Sequence, residues 1–160
     1  MDSFSEQNNW YHEGQVSKKL VEYLKARGYT ISKDNSDRIS ARGADIIADI
    51  QGEKEIIEVK GYPTTVYMIG KDKGKQKRTD PKLQAKHWFS EALLSSIFNY
   101  QQSKEKYSFN LALAFPLIDR YKELIGKVED FFTDYNISIK VYFIDMNGTV
   151  TIDNLNRNER

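Results

Sequence analysis

Two short segments rich in β-branched residues carry charged side chains where buried strands ordinarily carry none. Residues 44–50 read ADIIADI and residues 55–60 read EIIEVK, joined by Gln51-Gly52-Glu53-Lys54, a glycine-containing connection of hairpin length. Side chains alternate along a strand, so Glu58 and Lys60 share one face while Ile57 and Val59 take the other. Asp45 shares a face with Ile47 and Asp49 on the neighbouring strand. Two carboxylates and an ammonium thereby converge at one end of a small sheet. Burying such charges is costly unless they pair with one another or with a cation. A Glu-x-Lys on a strand also occurs as decoration of a solvated face. The apolar residues around this one, and the aspartate one hairpin upstream, favour a site.

Elsewhere the composition excludes more than it assigns. At 160 residues, 39% hydrophobic and 29% charged, the chain suits one soluble domain with a real core. No apolar run approaches a membrane span, and the first residues, MDSFSEQNN, lack the basic start and apolar centre of a signal peptide. The absence of cysteine excludes disulfides, thiolate metal sites and a cysteine nucleophile, and a cytoplasmic location is the default expectation. His12 and His87 are the only histidines and fall in different expected helices, which disfavours zinc. Gly70-Lys71-Asp72-Lys73-Gly74-Lys75 imitates a phosphate-binding loop without its spacing or final hydroxyl. The net charge is only +1, yet Lys71, Lys73, Lys75, Lys77, Arg78 and Lys82 face only Asp72 and Asp80 in one stretch. That stretch reads as a solvated loop, close enough to the charged strand to reach nucleic-acid phosphates.

Periodicity orders the remaining elements. Val16, Leu20, Tyr23, Leu24 and Arg27 predict a helix over residues 11–27, stopped by Gly28. A strand over 28–32 and a polar loop over 33–38 follow. Asp80-Pro81 reads as an N-cap with proline at the first helical position, opening a helix to about residue 102. Its apolar stripe is Phe89, Leu93, Ile97 and Tyr100. Residues 107–116 predict a central strand, and 118–135 an amphipathic helix with Tyr121, Leu124, Ile125, Val128, Phe131 and Phe132 inward. A strand over 137–144 places Ile137, Ile139, Val141 and Phe143 on one face. Asn147-Gly148 signals a type I′ turn into a short strand over 149–152. Residues 1–153 form a single domain in this reading, and 154–160 a polar tail expected to fray. The order α-β-β-β-α-β-α-β-β implies an α/β fold, a mixed sheet with helices on both faces.

In these residues and this order the chain resembles the PD-(D/E)XK nuclease superfamily. Its restriction-endonuclease-like core runs α-β-β-β-α-β, with an aspartate opening one strand and Glu-x-Lys on the next. Asp45, Glu58 and Lys60 match those positions, and the likeness covers residues 10–115 in element order. Gly43-Ala44 stands where a proline often precedes the aspartate, a departure without chemical consequence. The resemblance implies a magnesium-dependent nuclease, with manganese as a substitute metal, acting on DNA ahead of RNA. Asp45, Glu58 and the Val59 carbonyl would hold the metal, whose chemistry suits oxygen ligands, and Lys60 would orient the attacking water. Glu13 falls within about 20° of Leu20 and Leu24 on the helical wheel, where superfamily members place a glutamate that joins the metal site. It also lies in the first turn, where it complements the helix dipole. Gln84, His87, Trp88 and Glu91 form a row at i, i+3, i+4 and i+7, offset from the apolar stripe. RecB-like branches carry Gln-x-x-x-Tyr here, with the glutamine at the active site; Trp88 replaces the tyrosine, and plain packing of Trp88 is the alternative.

The catalytic candidates are therefore Asp45, Glu58 and Lys60, with Glu13 and Gln84 in support. The short chain leaves little room for a recognition domain, so specificity is expected to be low or supplied by a targeting protein or a second copy. Two rivals stand beside this reading. One is a catalytically silent nucleic-acid-binding module of the same fold, and the other a protein-interaction domain whose charges form a structural ion-pair cluster.

Overall fold

The structure, a computed structural model, describes residues 10–35, 43–67 and 70–160. The N-terminal segment weighed for a signal, and the second half of the loop expected over 33–38, lie outside the described residues, while Lys33 and Asp34 belong to a strand. Helix α1 (Glu13–Ala26) is capped by His12, whose Nδ1 accepts from the Gly14 N–H at 3.2 Å. Strand β1 (Thr30–Asp34) follows, two residues later than the pattern predicts, because Gly28 and Tyr29 are spent leaving the helix. Strands β2 (Ile46–Ile50) and β3 (Glu53–Val59) join through Gln51 and Gly52, both at positive φ, which makes a two-residue type I′ turn. Glu53 and Lys54, expected in the connection, instead open β3.

Helix α2 (Pro81–Ser103) starts as the sequence predicts, with the Asp80 carboxylate accepting from the Lys82 N–H at 2.7 Å. It leads to β4 (Phe109–Pro116), which pairs parallel to both β3 and β5 (Lys140–Ile144) and so lies inside the sheet. The single helix expected over 118–135 is two, α3 (Asp119–Gly126) and α4 (Glu129–Asp134). Gly126, a poor helix former, stands at the break. Strand β6 (Val150–Asn154) closes an unbroken order β1-β2-β3-β4-β5-β6. The turn before it is not type I′, since only Gly148 has positive φ there. Asp145 instead caps a three-residue loop by accepting from the Asn147 and Thr149 N–H groups, both at 2.8 Å.

One sheet face packs on α1, with Val16, Leu20 and Leu24 against Ile46, Ala48, Ile57, Val59 and Ala114. The other packs on α2 and α3, with Ala85, Phe89, Ala92, Tyr121 and Leu124 against Leu113, Phe115, Val141 and Phe143. Parallel neighbours demand crossovers, and successive right-handed crossovers in one direction put α2 and α3 on the same face. Helix α2 departs from its expected stripe. It buries Ala85, Phe89, Ala92, Ser96 and Asn99 and leaves Ile97 and Tyr100 about half exposed. Small side chains bring the helix close to the sheet, and size overrode hydrophobicity. Phe131 and Ile137 are likewise exposed, against expectation. The residues expected to fray are docked: Leu155 and Asn156 are fully buried, and Arg160 pairs with Glu129 at 2.6 Å and Asp153 at 2.7 Å. No described helix is long and apolar enough to cross a membrane.

Candidate active site

The antiparallel ladder of β2 and β3 sets the site. Ile46 pairs with Ile57, so one step further Asp45 opposes Glu58. Ile46 and Ile57 point into the core under α1, and alternation sends Asp45 and Glu58 to the α2 face. Glu58 is 7% exposed there, and Asp45 is half-buried. The Val59 N–H donates to Asp45 Oδ2 at 2.8 Å, fixing the carboxylate against the end of β3. The Lys60 N–H donates to the Ala114 carbonyl at 3.0 Å, so the chain still follows β4 past the end of the strand. The N–H and C=O of one residue leave an extended strand on the same edge, which puts the Val59 carbonyl on the Asp45 side.

Lys60 sits between two carboxylates. Its Nζ lies 3.5 Å from Glu58 Oε1 and 3.5 Å from Glu91 Oε1. Glu91 comes from α2, seven residues along the row from Gln84, and sequence reasoning did not place it in the site. The signal was that row itself, whose outer end is a carboxylate. Gln84 is partly buried on α2, and its Oε1 is buried without a hydrogen-bond partner. His87 on the same row is exposed and Trp88 half-buried.

Glu13 arrives from the opposite layer because α1 begins against the end of β3. A Cβ on Gly61 would stand 2.6 Å from the Glu13 backbone nitrogen and 2.7 Å from the Tyr11 carbonyl. The Tyr62 N–H donates to that carbonyl at 2.9 Å, and the Tyr121 hydroxyl donates to the Gly61 carbonyl at 2.6 Å. Only glycine allows so close an approach. The Gly61 N–H faces the Glu13 carboxyl and weakly favours its charged form.

Burial, with the crowding of negative charge behind it, governs the electrostatics. Burial, reinforced by Asp45, pushes Glu58 up to about 7 against the pull of Lys60. Glu13 is exposed as a residue, yet the protein packed around its carboxyl raises it to about 7, with Lys60 opposing and Asp45 and Glu91 reinforcing. Burial also raises Asp45, held back by the Val59 N–H, Lys60 and Lys33. Burial works to strip the proton from Lys60, but Glu13, Glu58, Glu91 and Asp45 outweigh it and the pKa is raised. The ammonium stays charged.

This donor set fits a hard divalent cation. Its ligands are carboxylate and carbonyl oxygens, and its surplus of negative charge is what such an ion relieves. Among the described residues no three acidic or histidine side chains form a metal-holding group. Asp45, Glu58 and the Val59 carbonyl are the residues that would hold such an ion, with further positions left to water, an arrangement suited to magnesium. A further buried carboxylate, Glu55, lies on the α1 face and is matched there by Lys140 and the Tyr142 hydroxyl. It belongs to the core.

The basic stretch is more ordered than a solvated loop. Val66 bridges Gln76, and the Lys77 N–H donates to the Thr65 carbonyl at 2.8 Å, pairing residues 65–67 with 75–77 in the manner of a hairpin. Lys77 donates to Thr64 Oγ1 at 3.0 Å and Lys75 pairs with Asp72 at 2.8 Å. Lys71, Lys73, Arg78 and Lys82 are exposed, Lys82 on the first turn of α2.

The fold is restriction-endonuclease-like, a six-stranded mixed sheet flanked by helices. It is similar to that of an XisH family protein from Nostoc punctiforme PCC 73102, with a TM-score of 0.50 and 20% identity over 87% of this chain and 95% of that one. An fdxN element excision controlling factor protein from Anabaena variabilis gives a TM-score of 0.48 and 18% identity over 88% and 98%. At these identities the likeness is one of fold. No protein-family model matches the sequence, and neither does any curated protein.

Proposed function

We propose that the chain is a metal-dependent nuclease that hydrolyses phosphodiester bonds, in DNA ahead of RNA, with low or partner-supplied sequence specificity. The observation that carries this reading is the placement of Asp45, Glu58 and Lys60 on one sheet face, with Asp45 fixed by the Val59 N–H at 2.8 Å. Asp45 and Glu58 would hold magnesium or manganese, which when bound supplies an activated water and withdraws charge from the phosphoryl oxygen. Lys60 stays protonated and lies where negative charge develops during hydrolysis. A donor so placed is typically worth about 3–4 kcal/mol of barrier. Glu13, with its pKa near neutrality, can hold or release a proton at the edge of the site. Exposed Lys71, Lys73 and Arg78 would take phosphates flanking the cut. The preference for DNA rests on the superfamily resemblance.

A second reading has its own observation. Lys60 is balanced by Glu58 and Glu91 at equal distances, as a purely structural ion-pair cluster would have it. Incubation with linear, circular and single-stranded DNA and with RNA, each with magnesium, manganese or chelator, separates the two. Metal-dependent cleavage that fails in Asp45→Asn supports the nuclease. No cleavage of any substrate, with a melting temperature indifferent to either metal, supports the ion-pair cluster.

A further inference from the structure

Strand β1 carries an irregularity that changes what faces the site. Thr30 pairs with Asp49 and Ile31 with Ala48, but Lys33 pairs with Ile47 and Asp34 with Ile46. In an unbroken ladder Lys33 would oppose Ile46, whose side chain is buried in the core under α1. The extra residue, Ser32, forms a bulge, and its Oγ donates to the Ile47 carbonyl at 3.3 Å. Cross-strand partners point to the same face, so the bulge turns Lys33 onto the face of Ile47, which is also that of Asp45 and Glu58. Bulges beside active sites commonly re-aim a side chain in this way.

The placement has a consequence for an anionic ligand. Lys33 Nζ lies 3.2 Å from where a Cβ would stand on Gly43, two residues before Asp45. Strand order sets Lys33 on β1, Asp45 at the head of β2 and Lys60 past the end of β3. The two lysines therefore lie on opposite sides of Asp45, on the strands to either side of β2. Helix α2 packs over β3 and β4, while Ile47 and Asp49 on β2 stay partly exposed. Four carboxylates, those of Glu13, Asp45, Glu58 and Glu91, repel an incoming polyanion, and Lys60 and Lys33 are the two cations whose charge Asp45 feels.

We propose that Lys33 is a phosphate-binding residue of this site, receiving a backbone phosphate of the nucleic acid on the β1 side of Asp45. The identity of the ligand rests on the nuclease reading; the position of the cation does not. Binding is therefore measured in chelator, where no cleavage occurs, by fluorescence anisotropy of a labelled short duplex over a range of salt. Lys33→Gln should bind several-fold more weakly, and its log–log salt slope should fall by about 0.9, the share of one phosphate contact on duplex DNA. Lys33→Arg should restore both. Lys25→Gln, exposed in the last turn of α1 and twelve residues from Glu13, removes the same charge at the far end of the helix and should change neither. Melting curves of both Lys33 variants check the fold, and if Lys33→Gln melts early the folded Lys33→Met variant replaces it. Wild-type affinity and slope in the glutamine variant would overturn the proposal and leave the bulge as protection of an edge strand. So would a wild-type chain that binds no nucleic acid at any salt. A wild type that binds through Lys33 but never cuts keeps the proposal and discards the nuclease.

Discussion

At the scale of single residues, the account turns on carboxylates held above their ordinary pKa. Burial, with Asp45 adding to it, raises Glu58 from 4.5 to about 7, so the folded state binds more protons than the unfolded state between those values. Stability of the metal-free protein should therefore be highest below about pH 4.5 as far as this group is concerned, fall as pH rises towards 7, and level off above. Glu13 acts in the same direction, but its side chain reaches solvent and Glu58 carries the larger share. Denaturant melts from pH 5 to pH 8 should show that decline, and Glu58→Gln should flatten it. A profile in Glu58→Gln as steep as in the wild type would place the titrating group elsewhere. Asp45, Glu58 and Lys60 were legible in the sequence because strand alternation and one hairpin are enough to bring them together. Lys33 was not, because a bulge changes the face of a side chain without marking the sequence. Glu91 reaches Lys60 only through the packing of α2 on the sheet, which periodicity does not specify.

At the scale of elements, the decisive contact is between the start of α1 and the end of β3. Gly61 lets two backbones meet where any Cβ would clash with the Glu13 nitrogen and the Tyr11 carbonyl. Gly61→Ala should cost about 1–3 kcal/mol, the usual penalty of overpacking, and should shift Glu13 away from Lys60. Denaturant unfolding measures the first effect and a flattened pH profile of stability the second. An alanine variant as stable as the wild type would mean that the helix start yields freely and does not fix the site. Element order was readable because glycine stops, the Asp80-Pro81 start and hydrophobic runs mark it locally. The buried face of α2 was not. Contact with the sheet selects Ala85, Ala92 and Ser96 for size, leaving larger apolar residues outward.

At the scale of the whole molecule, the last residues of the chain are tied to the body of the fold. Leu155 is fully buried among the residues packed under α3, and the arginines after it pair with Glu129, Asp130 and Asp153. Leu155→Ala should lower stability by about 2–5 kcal/mol, read from urea melts. A loss under 1 kcal/mol would show that the last residues do not contribute to the core. Their polar composition hid this docking, since one leucine among asparagines and arginines gives no periodic signal. The central claim is that the charge cluster hydrolyses phosphodiester bonds rather than merely holding the sheet together. Single-turnover cleavage of DNA by Lys60→Ala, beside the wild type at the same pH and manganese concentration, tests it most directly. The account predicts loss of cleavage with manganese binding retained, because Asp45 and Glu58 both remain. Cleavage at the wild-type rate would contradict it.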